Sequence, residues 1–409
     1  MSILSIDAQT KENKGNALAI GKEARDAKAI NPNVIDSTIG MLFDEDGKFF
    51  TFDVVEKATQ SLTDKEKYAY GSTIGDASYH EALYKWIFRE YYNDFKNNQH
   101  LRCIATPGGS GAICNTFSNY LNEGDKVLIP SLMWTNYIQI AKEEHLGYTT
   151  YELFNDKGCF NLDDFKNKCL ELKESQNRVL VVINDPCQNP TGYSMSNAEW
   201  NNVVDVLNEV SNDGTPVILL YDMAYIDYDK RGFAESRKNI KVFERFNDSV
   251  IAILAFSGSK TLGLYGLRVG AQIAIAQTKE AADEFLTAND FSARGKWSMT
   301  SVLGQNIITK VFNQYSVEFS KELDFARKLL IDRANAFINE AKAVGLKHYP
   351  YDCGFFVTIP CDNVEEVNKK LKEKGLYIIP LKVGIRLTLS SISVEEVIKA
   401  VHIINEVLN

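Results

Sequence analysis

The chain has 409 residues, 45% of them hydrophobic and 24% charged, with a formal net charge of −9. This is ordinary globular composition, enough for about two or three domains, and the acidic balance argues against nucleic acid or an anionic membrane as a general partner. No apolar run reaches the ~18 residues of a membrane span.

In chain order, the first stretch (residues 1–30) is too polar for a signal peptide and reads as a mobile arm followed by a helix. At 105–121, "ATPGGSGAICNTFSNYL" is a glycine turn running into an apolar helix. The free backbone N–H groups of Gly108, Gly109, Ser110, Gly111 and Ala112 make either an anion site or a plain structural turn. The dinucleotide and P-loop glycine spacings are absent. Four short runs rich in Val, Ile and Leu read as buried parallel strands: 125–131, 178–185, 216–222 and 249–256. Between the second and third, 196–214 reads as a helix capped by Ser196 and ending at Gly214. This alternation predicts an α/β fold with a doubly wound or related sheet. Beyond residue ~300 the pattern turns helical, with a long helical stretch from Val302 to Gly345, and then gives a shorter αβ region. The expected division is an arm and part of a small domain in 1–50, a large domain in 51–305, and a small domain in 306–409.

Seven cysteines without a CxxC spacing point to reduced thiols in a cytoplasm, and five scattered histidines form no metal-ligand pattern.

Ligands in an open α/β sheet bind beyond the carboxyl ends of the strands, which makes those ends the candidates. The last strand runs into Ser257-Gly258-Ser259-Lys260, with Arg268 eight positions on. A P-loop fails on spacing, leaving a covalent cofactor lysine or a polar surface loop. At a buried strand end near Arg268, Lys260 should have a depressed pKa and be a competent amine nucleophile. Asp222 and Tyr225 share the end "YDMAY", where the carboxylate either meets a cationic partner, such as a protonated pyridine nitrogen, or caps the next helix. Asn189 in "NPTG" is a turn residue able to donate to a phenolic oxygen. Arg386 in "GIRLT" could clamp a carboxylate with its fork or stand on the surface.

Together, "PGGSGA", "NPTG", "YDMAY", "SGSK…R" and "GIRLT" resemble the class I pyridoxal-phosphate aminotransferases, and most of all their aspartate and aromatic branch. The likeness spans nearly the whole chain, including "STIGMLFDEDGKFFTF" (37–52) and "YAYGSTIG" (68–75). It implies fold type I: a large domain with a mostly parallel mixed sheet between helices, and a smaller α/β domain from both chain ends. It implies that Lys260 forms the Schiff base with pyridoxal 5′-phosphate and moves a proton. Asp222 would hold the pyridine nitrogen, and Asn189 and Tyr225 the 3′-oxygen. Gly109, Ser110, Gly111, Ser257 and Arg268 would bind the phosphate, and Trp134 would stack on the ring. Arg386 would take the substrate α-carboxylate beside Gly40 and Asn189. Tyr70 would complete the site of a neighbouring subunit, which implies a homodimer.

Three departures stand out. Leu132 and Met133 are extra residues before Trp134. Tyr137 replaces the family's histidine that supports the aspartate. Ala288 takes the place expected for the distal-carboxylate arginine, with Arg294 and Lys296 as nearby substitutes. The function implied is transamination by a ping-pong cycle between an amino acid and a 2-oxo acid such as 2-oxoglutarate. A C–S lyase and a non-catalytic family member are the alternatives.

Overall fold

Strands that are apolar on both faces must be covered on both faces, and this arrangement organises the molecule. The computed structural model describes residues 2–11 and 17–409. The expected N-terminal arm falls partly on residues 1 and 12–16, which lie outside the described residues. The helix expected after it is Ala17–Ile30.

A seven-stranded sheet is built from β1 (His100–Thr106), β2 (Lys126–Pro130), β3 (Gly147–Tyr151), β4 (Val179–Asn184), β5 (Val217–Asp222), β6 (Val250–Ser257) and β7 (Gly270–Ala276). The spatial order is β1-β7-β6-β5-β4-β2-β3. β7 runs antiparallel to both its neighbours, and the other pairings are parallel. The four strands expected from sequence are β2, β4, β5 and β6. In β4, Val179, Val181 and Ile183 enter one core while Leu180 and Val182 enter the other, and β5 and β6 alternate in the same way. β3 was not legible in the sequence because it is an edge strand, polar and half-buried.

The second face is covered by α1 (Gly108–Tyr120), through Ala112, Ile113 and Phe117. On the first face, α2 (Asn197–Val210) packs through Trp200, Val203 and Leu207. Ser196 caps α2 as expected, in a reciprocal pair with Glu199. The helix stops at Val210, and a turn continues to Gly214 at φ +90°. A single helical turn, α3 (Gly258–Thr261), follows β6 directly, and α4 (Lys279–Lys296) joins α1 over the second face.

The long helical stretch expected from 302 is made of two helices, α5 (Val302–Gln314) and α6 (Ser316–Val344), broken at Tyr315 with φ −124° and ψ 18°. The Tyr315 ring packs on the first core and lies under the Lys57 ammonium. The break lets α5 pack on Ala77–Phe88 while α6 packs on Val394–Leu408.

A second, antiparallel sheet has the order β9-β10-β8, from β8 (Phe356–Pro360), β9 (Ile379–Leu381) and β10 (Gly384–Thr388). Ile35–Asp36 pairs with Leu376–Tyr377, tying the N-terminal segment to this region. From there residues 38–42 run to the carboxyl ends of the large sheet, where the Leu42 N–H donates to the Tyr265 hydroxyl at 3.0 Å. Among the described residues no helix is long and apolar enough to cross a membrane.

Candidate active site

The carboxyl ends of β4, β5 and β6 open into a cleft of about 630 Å³, the place the strand-end rule designates.

β6 delivers Lys260. The strand is buried throughout and turns at once into α3, whose backbone is fixed by the Tyr228 hydroxyl donating to the Lys260 carbonyl at 2.9 Å. Lys260 Nζ donates to the Gly40 carbonyl at 2.5 Å. The rings of Tyr225, Tyr265 and Phe355 surround it at 5.6, 5.0 and 5.3 Å. Burial, then the guanidinium groups of Arg386 and Arg268, pull its pKa down to about 7 against the opposing charge of Asp222.

β5 delivers Asp222. Its Oδ2 accepts from the Tyr137 hydroxyl at 2.5 Å and its Oδ1 from the Ala224 N–H at 3.2 Å. Burial raises its pKa, and these two donors pull the other way. Asn184, at the end of β4, links the neighbouring ends. Its Nδ2 donates to the Asp222 carbonyl at 2.8 Å, and its Oδ1 accepts from the Asn189 N–H at 2.7 Å. Tyr225 is pushed up by burial first and Asp222 second.

β10 brings Arg386 from the far end of the chain. Nη1 donates to Asn189 Oδ1 at 3.2 Å, and Nη2 donates to the Thr38 carbonyl at 3.1 Å. The guanidinium lies over the Phe356 ring at 4.2 Å, and burial lowers its pKa to about 10. Its Nε is buried without a partner.

Gly109 and Ser110, in the first turn of α1, line the cleft together with Ser257 and Arg268, and a Cβ on Gly109 would lie 3.6 Å from Ser257 Cβ. Arg268 Nη1 donates to Ser259 Oγ at 3.0 Å and to the Tyr265 carbonyl at 2.9 Å. Gly108 sits at φ +72°, where a Cβ would lie 3.0 Å from Arg268 Nη2. Here glycine serves close approach, and backbone N–H groups, two serines and a guanidinium surround one pole of the cleft.

Of the expected site residues, Gly40, Gly109, Ser110, Trp134, Asn189, Asp222, Tyr225, Ser257, Lys260, Arg268 and Arg386 all line this cleft. Trp134 does so despite the two extra residues. The Leu132 carbonyl accepts from Gln188 Nε2 at 2.7 Å, and the indole stands edge-on to Tyr137 at 5.5 Å. Gly111 does not line the cleft. It packs under Pro107, where a Cβ would come within 2.4 Å of Cδ. Tyr70 is 95% exposed, outside the cleft of its own chain. Arg294 is also outside it, donating to Ser298 Oγ at 2.7 Å. Lys296 pairs with Glu144 at 2.7 Å. Ala288 lines a separate cavity, of about 440 Å³, beside the opening residues of β5 and β6. Sequence reading missed Tyr265, Phe356 and Asn184. The first stands between Lys260 and Arg268 and the last closes a recognised strand, whereas Phe356 carried no local signal.

The chain matches the family model "Aminotransferase class I and II" over residues 32–404. It is 25% identical to the tyrosine aminotransferase of Klebsiella pneumoniae, over 76% of this chain and 77% of that one. It is 24% identical to the aspartate aminotransferase of Escherichia coli K12, over 77% and 78%. The crystal structure of an aminotransferase from Anaerococcus prevotii superposes on the whole of both chains, with a TM-score of 0.94 and 30% identity. An aromatic-amino-acid aminotransferase from Burkholderia pseudomallei, covalently bound to pyridoxal phosphate, shares the fold at a TM-score of 0.80 and 21% identity, over 99% of this chain and 100% of that one. The chain belongs to the class I and II aminotransferases, a family of pyridoxal-phosphate-dependent enzymes.

Proposed function

We propose that the protein moves an amino group between an L-amino acid of the aspartate or aromatic type and a 2-oxo acid such as 2-oxoglutarate, in two half-reactions centred on Lys260. The observation that carries this reading is the convergence of four groups on one cleft: the low-pKa amine of Lys260, the buried Asp222 carboxylate, the Gly109–Ser110–Arg268 pole and the buried Arg386 fork.

The cleft fits pyridoxal phosphate. Asp222 is a buried carboxylate whose two hydrogen-bond donors are both neutral, and the opposite pole presents donors suited to a phosphate. When bound, the cofactor supplies a carbonyl carbon for an amine and a cationic ring that accepts electrons from the substrate Cα. Lys260 is the amine that bonds it, and its Nζ, once released, accepts the proton leaving the substrate Cα. Asp222 keeps the ring nitrogen protonated, and Asn189 and Tyr225 hold the phenolic oxygen. Ser110, Ser257 and Arg268 hold the phosphate, and Trp134 covers the ring. Arg386, which lines the cleft, takes the substrate α-carboxylate with its fork. Gly40 keeps the approach open, since a Cβ there would lie 2.7 Å from Phe356 Cζ and 3.4 Å from Lys260 Nζ. The active unit is a cytoplasmic homodimer in which Tyr70 completes the neighbouring copy's phosphate site.

A single half-reaction tests the reading. Amino acid added alone to the yellow protein should bleach it and leave pyridoxamine phosphate bound, and a 2-oxo acid should restore the colour. Release of pyruvate and ammonia from a cysteine conjugate, without amino transfer, would identify a lyase instead. Borohydride should fix the cofactor to the peptide holding Lys260.

A further inference from the structure

Asp222 is 6% exposed, so its charge is governed by a few neighbours. The only side chain hydrogen-bonded to its carboxylate among the described residues is Tyr137, whose hydroxyl donates to Oδ2 at 2.5 Å. The second donor, the Ala224 N–H at 3.2 Å, is longer and belongs to the backbone. Tyr137 is fully buried on the helix Asn136–Glu143, edge-on to Trp134. The other ionisable groups that act on the pair are Lys260 on Asp222, and Tyr225 and Tyr151 on Tyr137. An imidazole, which the family resemblance expects at this position, titrates near neutrality and can carry a positive charge. A phenol brings one proton and no charge. Burial, then Asp222 itself, pushes the Tyr137 hydroxyl well above its ordinary range, so it remains a donor throughout the neutral range.

We infer that Tyr137 is a positioning residue for Asp222, its hydroxyl fixing the carboxylate in rotation and in charge while the remaining lone pairs are left for the cofactor's ring nitrogen. The inference rests on the reading above that Asp222 faces that nitrogen. A donor to the charged form of a carboxylate favours that form. Without the phenol, Asp222 would keep one backbone donor, become more basic, and draw the ring proton towards itself. The ring would then be a weaker electron sink, and the transition state would suffer more than substrate binding.

Tyr137→Phe tests this, since it keeps the ring and its contact with Trp134 and removes the hydroxyl alone. The variant is loaded with pyridoxal phosphate and compared with wild type in cofactor affinity, in the pH midpoint of the bound yellow chromophore, and in kcat and KM. The expected result is a kcat about tenfold lower with KM changed less than about threefold. Cofactor binding should weaken and the chromophore midpoint should move upward. Incorporating 3-fluorotyrosine at position 137 guards against misfolding, because it is nearly isosteric and a stronger donor, and it should move the midpoint downward. A wild-type midpoint in either folded variant, or a wild-type kcat in Tyr137→Phe, overturns the inference even if stability falls. Failure of the wild-type protein to bind the cofactor would overturn the proposed function instead.

Discussion

Lys260 lies near two guanidinium groups, Arg386 and Arg268, which add to burial in holding its amine at about 7 instead of the ordinary 10.5. Between those values the unfolded chain binds a proton that the folded chain does not. The penalty from this group is therefore complete below about pH 7 and is relieved as the pH rises towards 10.5. Cofactor-free protein should label at Lys260 with an amine-directed reagent half-maximally near pH 7, read by peptide mass spectrometry. In Arg386→Ala, which removes the larger of the two repulsive charges, that midpoint should move upward. If Arg386 takes the α-carboxylate as proposed, the same substitution removes a forked contact. Such contacts are worth about 2–4 kcal/mol, so kcat/KM should fall by more than about tenfold for every amino donor, mostly through KM. Steady-state kinetics over several donors checks this, and a loss confined to one donor would contradict the assignment. Lys260, Asp222 and Asn189 were legible because each interrupts or follows an apolar strand with a polar group. Phe356 was not, since a phenylalanine in an apolar strand looks like core wherever it points.

The turn that carries Asn189 is held by an element-scale fit. Gly192 closes it at φ +74°, and a Cβ there would lie 2.3 Å from the Tyr351 ring and 2.6 Å from the Phe356 carbonyl. The Gly192 carbonyl accepts from the N–H groups of Asp352 and Cys353, so this one residue docks the turn against the segment leading into β8. Gly192→Ala combines left-handed strain with overpacking and should cost about 2–4 kcal/mol, seen as a lower thermal midpoint and weaker cofactor binding. Retention of both would mean that the turn yields easily. Local signals worked well where a local rule decides, as at the Ser196 cap of α2. They do not mark the break at Tyr315, where both flanking segments are helical by pattern. The break there comes from two different packing partners, Ala77–Phe88 for α5 and Val394–Leu408 for α6.

On the scale of the whole molecule, the exposed Tyr70 and Arg294 have no place in the cleft of their own chain. If Tyr70 completes a neighbouring copy's site, co-expressed Tyr70→Ala and Lys260→Ala chains should recover activity. Each two-fold mixed dimer would then hold one intact site, giving about half the wild-type turnover per dimer. No recovery over the two separate variants would place Tyr70 elsewhere. Arg294→Ala should lose aspartate while keeping phenylalanine and leucine if Arg294 reaches the partner's cleft, and a donor panel reads the difference. Equal loss across the three would make its role structural. The sequence by itself determined the α/β class, the four central strands and the polar groups at their ends. It could do so because a strand buried on both faces must be continuously apolar, and any chemistry has to sit where that run stops. Only the tertiary structure decided which of those groups meet. Arg386 lies against Asn189 and Thr38, Gly40 lies on Lys260, and the Tyr137 hydroxyl lies on Asp222. These contacts join segments far apart in the sequence through sheet register and tertiary packing, and a local pattern of residues does not encode either.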